Sequence, residues 1–341
     1  MDARDEGKAK RRVSPALVLF FLSPMTAELL TGSAPPAEFF NPFSLLVLTV
    51  LYGSGAILIR ELALRWRKGW PSILVLGAAY GIVEEGLMVK SFFDPQWVDL
   101  GPLGVYGRWA GVNWVWSLGL TLFHAVWSIC LPILLVTLMF PRRAAEPWVG
   151  RRLSCVLAGL MAVDVVFGFS FLTPYRPPAL PYLLSLLAVI GLMAVARRMP
   201  IACSAERRAE TESDRPRSLR YFVAGLAGAI AFFALLWGFP NTGMSPELNM
   251  ALLVLLAAVV VLLLRRAGTP SRWEAHRRLA LASGALGFFI ALAPLQQLDP
   301  ARAAETRGMA LVGLTMALLL VWLAWRTHKL EREALHSAAP S

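Results

Sequence analysis

About ten apolar blocks, each close to the 20 residues a helix needs to cross a bilayer, dominate this chain and leave it few ways to fold. They run approximately over residues 14–32, 43–63, 71–91, 113–139, 153–173, 178–196, 220–238, 247–264, 279–294 and 308–325. Short charged stretches separate them. With 57% of its 341 residues hydrophobic, the chain is too apolar for an ordinary soluble domain. The pattern predicts an all-α fold: a polytopic integral membrane helix bundle of about ten transmembrane helices. The first block follows a basic segment, as a signal peptide does, but it is longer than a usual signal core and contains Pro24 and Glu28. It reads as an uncleaved first span.

The net charge of +11 raises the question of nucleic acid, and its placement answers it. Lys and Arg cluster at Lys8–Arg12, Arg65–Lys68, Arg142–Arg152, Arg197–Arg220, Arg265–Arg278 and Arg326–Arg332, which are the N-terminus, every second loop and the C-terminal tail. The loops 33–42, 174–177 and 239–246 carry one Arg between them. Excess Lys and Arg mark the cytoplasmic side, so both termini are expected there. The charge is a topology signal first and a contact for anionic lipid second. The expected partner is the lipid bilayer, with no nucleic acid. A multi-pass protein with positive-inside loops belongs in a plasma membrane, and the Arg-, Ala- and Leu-rich usage suggests a bacterium. Cys130, Cys155 and Cys203 offer no disulfide framework and no paired metal spacing.

The sequence divides into a six-helix membrane region (1–196), a charged cytoplasmic linker (197–219), a four-helix apolar region (220–327) and a cytoplasmic tail (328–341). Nearly all intramembrane polar residues fall in the first region. The loop DPQWVDLGPLGVYGRWAGVNWVW combines Asp94, Asp99, several Gly and four Trp. Trp prefers the membrane–water boundary, so the loop reads as an interfacial anchor, with a lid over a polar cavity as the sharper alternative.

Function is sought where charge enters the membrane. Glu84 and Glu85 sit inside PSILVLGAAYGIVEEGLMVKSFF. An ionised group near the bilayer centre costs about 2.5–3.5 kcal/mol on insertion scales and marks a functional site by default. At 1.5 Å per residue the pair lies about 20 Å along its span, and His124 lies roughly 16 Å below Asn113 on the next one, so the levels match. Glu28 reaches a similar depth and Asp164 lies slightly deeper. Lys90, nearer the outer surface, is expected to snorkel outward or fold back to a carboxylate. Successive helical residues point about 100° apart, so Glu84 and Glu85 are not expected to face the same neighbour. Gly77-x-x-x-Gly81 permits close helix approach. Ser128, four residues after His124, is placed to orient the imidazole.

A carboxylate beside a neutral imidazole can activate water as a general base. Glu85 and His124 are also acceptable ligands for a divalent metal such as zinc. The expected site is therefore Glu84, Glu85 and His124, with Glu28, Lys90, Asp164 and Ser128 supporting it. The alternative structural reading is a set of hydrogen bonds that bridge helices. Arg60–Glu61 reads as an interfacial ion pair, and His276, His328 and His336 as solvated.

VEEGLMVKSFF followed about forty residues later by LTLFHAVWS resembles the CAAX-protease and bacteriocin-processing membrane proteases, the abortive-infection family. The resemblance implies an all-helical intramembrane protease acting on a membrane protein or peptide, with Glu84 or Glu85 as base and His124 in the role of the second-motif His. The family pattern is Glu-Glu-x-x-x-Arg on one span and Phe-x-x-x-His on a later one. Here Val89 stands at the Arg position, with Lys90 one residue later, and Leu120 stands at the Phe position four before His124. Two other functions fit the same residues: a proton- or cation-coupled transporter of a small solute or lipid, and a non-catalytic membrane scaffold.

Overall fold

The computed structural model describes residues 13–201, 218–266 and 274–337. The basic cluster Lys8–Arg12, Cys203, most of the charged stretch 197–219 and the last residues of the tail lie outside them.

The chain is helical almost throughout. It begins with α1 (Pro15–Leu29). Nine helices among the described residues are long and apolar enough to cross a membrane. They are α2 (Pro42–Arg65), α3 (Trp70–Met88), α4 (Trp114–Met139), α5 (Arg151–Leu172), α6 (Ala179–Arg198), α7 (Ser218–Asn241), α8 (Pro246–Leu263), α9 (Ala275–Gln297) and α10 (Met309–Glu333). This is an all-α polytopic bundle.

The exception in length is α1, where the apolar block 14–32 promises a full span. At 1.5 Å per residue α1 is about 22 Å long, against a hydrocarbon core of about 30 Å. It stops because Gly32 adopts φ 77°, and the amides of Gly32 and Ala34 both donate to the Glu28 carbonyl (3.1 and 3.2 Å). A left-handed glycine closing a helix in this way satisfies carbonyls that the next turn would otherwise engage.

Helix starts follow the local chemistry. Pro42 and Pro71 occupy the first turns of α2 and α3, where a missing N–H costs nothing. The Asn41 side chain caps α2 through the Phe43 amide, and Asn113 caps α4 through that of Trp116.

The interior belongs to α3 and α4. Two thirds of their apolar windows (67%) are buried, against 17% for α5 and 11% for α6 and α8, so α3 and α4 can carry polar groups away from lipid. Gly77 and Gly81 set their contact. A Cβ on Gly77 would stand 2.9 Å from the Ala125 Cα, and one on Gly81 would stand 3.0 Å from the His124 Cβ. Small residues at this seam let the two backbones approach closely.

Contacts across the bundle group the helix ends into two faces. On the basic face, Arg60 donates to Ala144 O, Arg65 to Val149 O, Lys68 to Met199 O and Arg326 to Met139 O. On the opposite face, Gln296 donates to Thr31 O and Arg302 to Gly32 O. There too the segment between α3 and α4 folds into a compact cap. Its hairpin pairs β1 (Arg108–Trp109) with β2 (Val112–Asn113) in antiparallel register, and Arg108 ties it to the carbonyls of Phe93 and Asp94. Leu100 and Leu103 are buried beneath it, while Trp109 and Trp114 stack at its exposed edge.

Candidate functional site

Glu84, Glu85 and His124 converge. Nε2 of His124 lies 3.0 Å from Oε1 of Glu85, and its Nδ1 lies 3.3 Å from Oε2 of Glu84. The two carboxylates thus take opposite edges of one imidazole, contrary to the expectation that they face different neighbours. The helix itself explains the difference. Ile82–Met88 is wound as a π-helix, whose wider i→i+5 turn changes where successive side chains point.

The same winding recurs at the other members of the cluster. Glu28 lies in the π-helical segment Met25–Leu29, Tyr52 in Thr49–Gly53, and His124 with Ser128 in His124–Cys130. Such segments appear mostly as single turns inside α-helices, frequently at functional sites. Four helices therefore each contribute a π-turn to one polar centre.

The polar chain extends well beyond the three expected residues. The Ser128 hydroxyl lies 2.9 Å from Nδ1 of His124, as the four-residue spacing predicts. Ser23 on α1 donates to the Ser128 carbonyl at 2.7 Å and ties α1 to this turn. Tyr52 hydrogen-bonds both Glu28 and Glu84, so one phenolic proton serves two carboxyl groups. On the other side, Ser91 donates to Oε2 of Glu85 and accepts from the Trp116 indole N–H at 3.0 Å. The result is one connected path: Glu28, Tyr52, Glu84, His124, Glu85, Ser91, Trp116. Tyr52, Ser91 and Trp116 are not among the expected site residues, and among the described residues Glu28 is joined to the centre through Tyr52.

Burial surrounds this path. Tyr52, Ser91 and Ser128 are fully enclosed, and His124 is 1% exposed. Glu84 and Glu85 are 6% and 8% exposed, so the carboxylates form the slightly open side. The rings of Tyr52 and Tyr80 stand about 6.1 Å from the imidazole and wall the site. Buried polar groups without partners are costly, and two gather here. Among the described residues, Oε2 of Glu84 and the Tyr80 hydroxyl have no hydrogen bond.

The donor set suits a metal. One ligand atom each from Glu84, Glu85 and His124 lie within 4.8 Å of one another, the only such group of three among the described residues. Carboxylate oxygen and imidazole nitrogen are ordinary zinc ligands. The unpartnered Oε2 of Glu84 is the kind of atom that such an ion would satisfy.

Other expected residues fall elsewhere. Lys90 neither snorkels nor reaches a carboxylate. It is fully buried at φ 65°, and its ammonium donates to Phe169 O (2.6 Å) and Thr173 O (3.1 Å). There it satisfies carbonyls at the C-terminal end of α5, where a cation is favoured. Burial, with the nearby Arg176 guanidinium, pulls its ammonium below the ordinary lysine range. Asp164, buried on α5, has no hydrogen bond to the centre.

At the basic face, Arg60 and Glu61 form a buried ion pair (2.6 Å). Glu61 also accepts the Trp148 amide, and the Arg60 guanidinium lies 3.9 Å over the Trp148 ring. His276 is not solvated: its Nδ1 lies 2.5 Å from Glu331, and its ring packs edge-on against His328. The His336 side chain is outside the described residues. Cys130 is buried and Cys155 exposed, both as free thiols.

No curated protein and no solved structure matches the chain. The likeness to the CAAX-protease family therefore rests on the two quoted motifs alone. A family model matches residues 17–337, nearly the whole chain. The chain belongs to an uncharacterized membrane protein family.

Proposed function

We propose that Glu84, Glu85 and His124 form an intramembrane hydrolytic centre that holds and activates a water, with a divalent cation such as zinc as its cofactor. The observation that carries this reading is the capture of one imidazole between two carboxylates from a single π-turn (3.0 and 3.3 Å). Two ionised carboxylates and a neutral imidazole bear a formal charge of −2. In a low-dielectric interior that charge needs compensation, and a divalent ion supplies it. Three protein ligands would leave a fourth position for water, and zinc lowers the pKa of a water bound there.

The chain's own residues do the rest. Ser128 holds the imidazole in orientation through Nδ1. Ser91, itself fixed by Trp116, holds Glu85. Glu84, whose Oε2 lacks a hydrogen bond, would complete the ligand set, with Tyr52 holding its other carboxylate oxygen. The two quoted motifs support a peptide or membrane-protein substrate. We further read the basic face as cytoplasmic, with both termini there, in a bacterial plasma membrane. The polar centre then serves the 1–196 region, with 220–327 as its apolar support.

Elemental analysis of the purified full chain tests the centre, beside Glu85→Gln and His124→Ala proteins shown to be folded by their thermal unfolding. Near-stoichiometric zinc or another divalent ion, lost in both variants, supports a hydrolytic metal site. A wild-type protein that takes up no divalent ion after incubation with zinc overturns it.

One observation favours a second reading. The Glu28–Tyr52–Glu84 connection leads from the centre toward the opposite face, as a path for protons in a coupled transporter would. Solute-driven proton flux in proteoliposomes, abolished by Tyr52→Phe, would select that function over hydrolysis.

A further inference from the structure

Away from the polar centre, the ends of α2 and α6 enclose an open cavity of about 520 Å³ on the basic face. It is lined by Trp66, Met193, Ala194, Arg197 and Arg198. The Arg197 guanidinium lies 5.9 Å from the centre of the Trp66 ring. Arginines in the last turn of a helix ordinarily satisfy its terminal carbonyls. Here that role is taken: Ser72 donates to Ala196 O at 3.0 Å, and Lys68 donates to Met199 O. Among the described residues, neither Arg197 nor Arg198 has a carboxylate within ion-pair distance. Two exposed guanidinium groups thus face a cavity with no carboxylate partner among the described residues.

The surface running away from this cavity is apolar. Met193, Ile190, Leu187, Leu186 and Leu183 are all exposed (39–61%) and recur at three- and four-residue intervals from Arg197. They form one stripe along α6 toward the membrane interior. A charged pocket, an indole at its wall and a continuous apolar stripe together match a molecule with an anionic head and a long hydrocarbon tail.

We propose that this cavity binds one anionic phospholipid, with its phosphate on Arg197 and Arg198 and an acyl chain along the α6 stripe. Arginine suits the role because its fork of donors matches phosphate oxygens. A free phosphate would use the guanidinium groups but gain nothing from the stripe, so the lipid is the favoured source.

Native mass spectrometry of the full chain, released from micelles after titration with phosphatidylglycerol or phosphatidylcholine, tests the site. Wild type is expected to retain one phosphatidylglycerol in preference to phosphatidylcholine. Arg197→Ala/Arg198→Ala should bind it about ten-fold or more weakly, since each basic residue near an anionic headgroup contributes an appreciable share. Arg151→Ala/Arg152→Ala, which removes an equally basic pair elsewhere on the same face, should leave binding unchanged. Equal retention of phosphatidylglycerol by the Arg197/Arg198 variant and wild type would overturn the site. So would equal retention of the two lipids. Displacement of phosphatidylglycerol by millimolar inorganic phosphate would also overturn it, by showing that the stripe contributes nothing.

Discussion

His124 and Glu85 meet across the α3–α4 seam at 3.0 Å, although 39 residues separate them in the chain. The contact joins two groups that neither helix could keep alone in lipid, because each satisfies the other. His124→Ala would leave both carboxylates of the centre without their shared partner. Leaving buried carboxylates without their hydrogen-bond partner costs about 1–3 kcal/mol or more. We expect a fall of that size in unfolding free energy, and a non-additive double-mutant cycle with Glu85→Gln. Strict additivity in thermal unfolding would show that the two do not interact.

Gly77 governs whether that contact forms at all. A Cβ there would meet the Ala125 backbone at 2.9 Å, and backbone cannot rotate aside. Gly77→Val should cost about 1–3 kcal/mol or more from overpacking and reduce metal content in proportion to the folded fraction lost. Gly159→Val, on a part of α5 where an added Cβ meets open space, is the matched control and should be close to neutral. Equal effects of the two changes would count against close α3–α4 approach.

Tyr52→Phe removes only the hydroxyl that joins Glu28 to Glu84. Leaving buried acceptors unmatched costs about 1–3 kcal/mol. Pairing the change with Glu28→Gln should recover part of the loss, since the amide brings its own donors. Chemical denaturation of the two single variants and the double variant reads this directly. No change in midpoint for Tyr52→Phe would remove Tyr52 from the polar path.

Glu61 offers a test that stability and site integrity separate. Glu61→Ala strips the partner from a buried Arg60 and from the Trp148 amide. A loss of about 3–5 kcal/mol is expected. Metal content per folded molecule should not change, because the pair sits at the basic face, far along α2 from Tyr52. Loss of metal in a protein that remains folded would tie the two ends of the bundle together.

Much of the bundle was legible because apolar run length is a local property. Long runs at 43–63 and 113–139 could be little else. The shortness of α1 was not visible in hydropathy, since it depends on the backbone conformation of one glycine. Glu84, Glu85 and His124 stood out as ionisable groups among apolar neighbours. Their shared imidazole did not, because the chain winds as a π-helix there and not as the uniform α-helix that the apolar run implies. Tyr52 carried a readable sign. It lies mid-span, followed by Gly53, Ser54 and Gly55, whereas an anchoring tyrosine belongs at a membrane boundary. The role of Lys90 depends on carbonyls about 80 residues later in the chain, and no local pattern announces such a partner.

The π-turns also decide what kind of change this centre is most exposed to. A helix that widens for one turn holds a residue beyond what an unbroken α ladder would need. Removing one residue from such a turn restores the regular ladder and changes where the side chains of that turn point. Each of the four segments that bear Glu28, Tyr52, Glu84–Glu85 and His124 is open to that event. The polar centre can therefore be dismantled by a single-residue deletion that alters none of its side chains and leaves every span able to cross the membrane.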